Sequence, residues 1–126
     1  MQNFITINGV QLPQPKRGLG LHIATLVDSA RNSRGVVVGQ KIGRDQQKIE
    51  NVEWGVLTAK EWGDILKILD ANFYVMVTYP DMVTGRWITR KMYCGDRTAE
   101  VFKIDKNTGL PTHYASCKVN FIDVGE

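Results

Sequence analysis

The chain has 126 residues, which suits one compact domain with a buried core and is too short for two. A hydrophobic content of 43% with 23% charged residues is ordinary for a folded protein and argues against wholesale disorder. The net charge of +3 is too small to indicate nucleic-acid binding by itself.

Two further classes are disfavoured by local patterns. Cys94 and Cys117 are too few for a disulfide scaffold and lack metal-ligand spacing, so we expect two reduced thiols. The N-terminal stretch "MQNFITINGV" lacks the basic and apolar regions of a signal peptide, and no window approaches the ~20 apolar residues of a membrane span. We therefore expect a protein that is made and kept in a cytoplasm, without a membrane partner.

The first part of the chain carries short strand signals separated by turns. An alternating strand over 4–9 contains Asn8-Gly9, a pair typical of hairpin turns. We predict a strand near 21–27, an exposed loop or hairpin tip over 28–35, and a hairpin around 44–46.

The stretch "WGVLTAKEWGDILKIL" predicts one amphipathic helix over 58–71. Thr58 and Glu61 have the spacing of a capping box, in which each side chain bonds a backbone N–H of the other residue. Asn72 is a residue type that favours a left-handed helix end. One face carries apolar side chains at i, i+3, i+4 and i+7, namely Trp62, Ile65, Leu66 and Leu69.

The last part of the chain predicts two hairpins. "NFYVMVTY" and "RWITRKMYC" flank the turn "PDMVTG", and "AEVFKID" and "HYASCKVNF" flank the turn "KNTG". The whole chain is thus predicted as a single domain, 1–126, that is mainly β (α+β). We expect an antiparallel β-sandwich or barrel-like sheet of seven or eight strands with one flanking helix.

Catalytic patterns are weak. His22 and His113 lie far apart and outside any nucleophile motif, and no serine occupies a nucleophile elbow. The "RGLGLH" stretch lacks the third glycine and the following helix of a dinucleotide fingerprint. The sequence therefore predicts no enzyme and no cofactor, although a hydrolase stays open as a minor alternative.

Basic residues concentrate in the 28–48 segment, and a second basic group mixes with aromatic residues near 86–97. The first group has no aromatic residue between Ala24 and Val52, whereas nucleic-acid grooves add stacking aromatics. We therefore favour a protein contact or a lumen-facing surface over DNA binding; Arg and Trp are enriched at interfaces. The candidate contact residues are Arg31, Asn32, Arg34, Lys41, Arg44, Lys48, Arg86 and Trp87.

The segments "FITINGVQLPQP", "DSARNSRG", "VEWGVLTAKEW", "FYVMVTYPDMVTGRW" and "MYCGDRTAEVF" occur in this order. This arrangement resembles a family of small proteins encoded by tailed bacteriophages and prophages. The likeness covers most of the chain, and its most specific parts are residues 79–85 and 93–97. The layout is also similar to tail-tube and distal-tail proteins, which are β-sandwich or barrel-like domains with one helix.

The resemblance implies a virion structural role in the tail. It implies copies of the chain as partners, in a ring that is commonly hexameric, together with other tail proteins, and it supplies no catalytic residues. On this reading the 28–35 loop and the 35–43 glycines form an arm that orders on assembly, or else a surface loop that touches nothing. The alternative function is a small basic binding module, either a tail chaperone or completion factor or a nucleic-acid binder.

Overall fold

The computed structural model describes residues 3–25, 27–31, 34–35, 37–41 and 44–125. The fold is mainly β, with one helix among the described residues, as the sequence predicts. The elements in chain order are β1 (Thr6–Ile7), β2 (Val10–Gln11), β3 (Gly20–Ala24), β4 (Val27–Arg31), β5 (Val37–Lys41), β6 (Gln46–Thr58), α1 (Ala59–Ala71), β7 (Tyr74–Pro80), β8 (Trp87–Ile104) and β9 (Pro111–Asp123).

Seven strands form one antiparallel sheet in the order β2-β1-β7-β8-β9-β6-β3. The sheet curls, because groups that are distant in this order meet. The Lys16 N–H, just beyond β2, donates to the Glu53 carbonyl on β6 at 2.9 Å. The indole N–H of Trp54 donates to the Pro13 carbonyl at 2.8 Å. The result is a barrel-like layer rather than a flat sheet.

The helix α1 begins and packs as its sequence predicts. The Thr58 hydroxyl accepts a hydrogen bond from the Glu61 N–H, and the Glu61 carboxylate accepts one from the Thr58 N–H, which completes the capping box. Trp62, Ile65 and Leu69 are buried against β6 and β9. Trp62 meets Trp54 edge to face, with ring centroids 6.2 Å apart.

The end of the helix differs from the prediction. Asn72 is extended, with φ of −135°, and so does not take the expected left-handed conformation. Its side-chain amide donates to the Ile68 carbonyl at 3.0 Å, which satisfies a terminal carbonyl without a backbone turn. The chain can therefore run almost directly into β7.

The sheet pairings confirm some sequence predictions and correct others. Asn8 and Gly9 both have positive φ and close the β1–β2 hairpin, as the pair predicts. Part of the expected 28–35 loop is strand, because β4 continues to Arg31 and pairs with β5. The prediction of a hairpin around 44–46 is wrong, because β5 pairs with β4, whereas β6 pairs with β3 and β9.

The core fills the inside of the curled sheet. In β9 the alternation predicted from the sequence is confirmed, since Cys117, Val119 and Phe121 are all buried. The β8–β9 hairpin is the longest in the chain, and its register shifts at four places along β8. Beyond Cys94, β8 pairs on one side only, with β9, among the described residues.

Candidate functional site

Strands β4 and β5 form a separate two-stranded ribbon, here called the arm. Their five residue pairs run from Val27↔Lys41 to Arg31↔Val37. Among the described residues, neither strand pairs with the seven-stranded sheet. A two-stranded ribbon is marginally stable at best in water, so the arm is an element that gains from a further surface.

The arm carries three of the predicted contact residues among the described ones, but it does not gather them in one place. Arg31 ends β4 and Arg34 lies exposed in the turn, both at the distal end. Lys41 pairs with Val27 at the opposite end, which we call the root. Asn32 lies outside the described residues.

Arg44 lies at the root and is engaged within the chain. Its guanidinium makes a bidentate ion pair with the carboxylate of Asp123, at 2.5 and 2.6 Å, and the Asp123 side chain is fully buried. The N–H groups of Gln47 and Gly125 donate to the same carboxylate at 3.1 and 3.0 Å. Arg44 follows β5 by three residues, and Asp123 is the last residue of β9. This ion pair therefore fixes one leg of the arm, the chain that follows β5, to the last strand of the barrel-like sheet.

The other leg, which is the chain that precedes β4, is fixed next to this ion pair. The Thr25 hydroxyl, which precedes β4, donates to the Asp45 carboxylate at 2.7 Å. Farther inside, the Tyr79 hydroxyl donates to the Gln47 side-chain oxygen. Burial raises the pKa of Tyr79 to about 12, so the phenol stays protonated as this donor. The two legs of the arm therefore start from one hydrogen-bonded root.

The charge on Asp123 is stabilised by this setting. Burial opposes ionisation of the carboxyl group, but hydrogen bonds from Arg44, Gly125 and Gln47 outweigh it and lower the pKa of Asp123. The sequence alone does not reveal this ion pair, because its partners are 79 residues apart.

The remaining predicted contact residues lie on the barrel. Lys48, on β6 opposite His22, forms an ion pair with Glu50 at 3.8 Å. Arg86 and Trp87 are exposed where the β7–β8 turn enters β8, and Trp87 pairs with Pro80. The structure therefore distributes the eight candidates among the arm, its root, β6 and the β7–β8 turn.

A surface that the sequence prediction missed lies at the far end of the β8–β9 hairpin. Val101 and Phe102 are neighbours on β8 and are both more than half exposed, so both faces of the strand are open. We call this region the hairpin tip. Its apolar side chains are 54% to 66% exposed: Val101, Phe102, Ile104 and Leu110. The sequence signal that could have indicated this surface is a run of consecutive apolar residues beside a turn.

Aromatic side chains cluster where α1 meets β7. Phe73 stacks on Tyr93 with ring centroids 5.6 Å apart, and the Lys91 ammonium lies 4.6 Å from the Tyr74 centroid. A nucleobase needs a free ring face to stack on, and these contacts already use one face each of Phe73 and Tyr74. Phe73 and Tyr74 are 67% and 50% exposed, so the cluster still presents aromatic surface to solvent.

Two features of the described residues bear on chemistry, namely their possible metal ligands and a polar cavity. None of their acidic, histidine and cysteine side chains form a group of three that could hold a metal. A polar cavity beside the arm root is lined by Arg44, Asp45, Gln47, Asp81 and Arg90 together with Ile23 and Val83. This lining contains two carboxylates and two guanidinium groups, and no serine, cysteine or histidine. No helix in the described ranges is long and apolar enough to cross a membrane.

No protein-family model matches the chain, and no curated protein or solved structure shows significant similarity to it. Function is therefore argued from the arm, its root and the hairpin tip.

Proposed function

We propose that the chain is a non-enzymatic structural subunit of a phage or prophage tail, of the tail-tube or distal-tail type, that assembles with copies of itself. The observation that carries this proposal is the arm. A ribbon of five residues per strand, with no pairing to the main sheet in the part of the chain that the structure describes, is marginally stable at best in water. A neighbouring subunit would supply the missing surface.

The root supports the same proposal. A bidentate, buried ion pair and the Thr25–Asp45 hydrogen bond hold the start of both legs. Defined anchoring reduces the conformational entropy that the arm would lose on binding a neighbour. The hairpin tip adds exposed apolar surface. A contiguous apolar patch on a protein surface often marks an interaction site.

The tail assignment rests on the family resemblance of the sequence, joined to this architecture. A barrel-like sheet with one helix among the described residues agrees with the architecture that the resemblance implies for a tail-tube or distal-tail subunit. Fold alone does not define function, so the assignment needs direct tests.

The first test removes the arm. Thr25 and Asp45 are hydrogen-bonded, so a short Gly-Ser-Gly linker in place of residues 27–43 can join the two legs without stretching the barrel. We expect the shortened protein to keep its β circular-dichroism spectrum and cooperative melt, and to remain monomeric by light scattering at concentrations where the full chain assembles. Lys67→Ala, on the exposed face of α1, is the control and should assemble normally.

Assembly that survives removal of the arm would contradict the role given to the ribbon. Electron microscopy of the full chain should show rings or tubes, and mass spectrometry of purified virions should find the chain in the tail fraction. Its absence from virions would refute the tail assignment. If association weakens steeply between 50 and 200 mM salt only when DNA is present, the alternative nucleic-acid binder gains support instead.

A further inference from the structure

The hairpin tip has a shape that requires a concave partner. Exposed residues run without interruption from Val101 to Ile104 on a narrow two-stranded ribbon, so a partner that surrounds the ribbon covers more of this apolar surface than a flat one does. With more than half of each of the four side chains exposed, the tip offers roughly 400 Å² of apolar surface. That is about half of what one partner contributes to a typical stable interface.

An apolar groove lies at the other end of the molecule. It is formed by Phe4, Pro15, Leu19, Leu21 and Met82, with a volume of about 450 Å³. That volume lies in the range of clefts that bind compact apolar groups. Lys16 and Arg17 stand at its rim, and the Lys16 ammonium is paired with Glu53 at 3.1 Å.

The tip cannot fill the groove of its own chain. Met82 lies in the turn that precedes β8, whereas the tip lies at the end of β8, which has 18 residues. At ~3.3 Å per residue a strand of this length follows a path of roughly 50 Å, and the bends at its register shifts shorten the direct distance. The convex apolar surface and the concave one therefore lie near opposite ends of β8.

We propose that the hairpin tip of one copy inserts into this groove of the next copy, which makes a head-to-tail contact along the direction of β8. This inference rests on the proposed self-assembly and identifies two of its contacting surfaces. A contact between different surfaces propagates from copy to copy, unlike a twofold contact that pairs a surface with itself. Such a contact stacks subunits along an axis and leaves the arm for another neighbour.

The area also sets the strength of the contact. One tip in one groove buries roughly 800 Å² in total, which is below the ~1,200 Å² at which stable specific interfaces begin. The contact is therefore weak alone and becomes persistent when other contacts act with it. Charge on the two sides is mixed: the tip turn has Asp105 and Lys106, and the rim has Arg17. Salt should therefore change this contact little.

The test uses one variant on each surface. Phe102→Glu places a charge on the tip, and Met82→Glu places one in the groove; both positions are more than half exposed, so the fold should survive. Each variant alone should associate at least ~10-fold more weakly than the natural chain in sedimentation velocity. Val83→Glu, in the same turn but outside the groove lining, and Lys106→Glu, in the tip turn, are the matched controls.

Mixing the two variants distinguishes a head-to-tail contact from other arrangements. The Phe102→Glu protein keeps an intact groove and the Met82→Glu protein keeps an intact tip, so a 1:1 mixture should associate more strongly than either variant alone. Wild-type assembly that neither variant weakens would overturn this inference and leave self-assembly standing. Loss with Phe102→Glu alone, without rescue in the mixture, would indicate a tip-to-tip contact and overturn it as well. A wild-type chain that stays monomeric at all concentrations would overturn both proposals.

Discussion

Replacing Trp62 by alanine tests the central packing of the fold. Trp62 is 3% exposed, on the buried stripe of α1, and its ring meets Trp54 edge to face at 6.2 Å. Truncating a buried tryptophan removes its transfer free energy and leaves a cavity, which costs about 3–5 kcal/mol. For a chain of this size that loss corresponds to a drop of roughly 10–20 °C in Tm.

The assay is urea and thermal unfolding followed by circular dichroism. Trp62→Phe should fall between the natural chain and Trp62→Ala, because it keeps an aromatic ring against Trp54. Lys67→Ala, on the exposed face of the same helix, should change the free energy of unfolding by less than ~0.5 kcal/mol. A loss below ~1 kcal/mol for Trp62→Ala would show that α1 is not held by this side chain and would refute the packing described above.

Three further predictions concern the ion pair, its pH dependence and the helix cap. Asp123→Asn should lower the free energy of unfolding by about 3 kcal/mol, because it leaves the Arg44 charge without its buried partner; a loss no larger than that of the exposed Asp70→Asn would contradict this. Because the folded-state pKa of Asp123 lies below its unfolded value of ~3.9, the carboxylate stabilises the fold above that pH and the contribution disappears as the pH falls through the folded pKa. Urea midpoints measured from pH 6 down to pH 2 should therefore fall less for Asp123→Asn than for the natural chain, and parallel profiles would rule out this linkage. Thr58→Ala should cost about 1 kcal/mol through loss of the cap, measured as a lower urea midpoint with an unchanged slope, whereas Thr58→Ser should be nearly neutral.

The features that sequence predicted well are those set by local chemistry. The Thr58–Glu61 capping box fixes the start of α1 because both hydrogen bonds lie within four residues. Asn8-Gly9 specifies a two-residue turn because both positions need positive φ. The β9 alternation is visible because one face of the strand is buried from Cys117 to Asp123.

The features that sequence did not predict depend on distant parts of the chain. Neighbouring strands usually pair, which favoured a hairpin around 44–46, yet β6 pairs with β3 and β9 and leaves β5 to β4. The partner of Arg44 is 79 residues away, and no local pattern indicates it. The hairpin tip was missed because a strand pattern does not reveal where the strand extends past the core.

The register shifts along the β8–β9 hairpin have a consequence for solubility. A long, straight and apolar strand with one side unpaired invites indefinite stacking of identical chains into fibrils. Each displaced residue bends and twists the ribbon and breaks the even spacing of amide groups that an incoming strand would need. The irregular backbone of β8 therefore allows the chain to expose apolar side chains while it disfavours amyloid-like pairing with other strands.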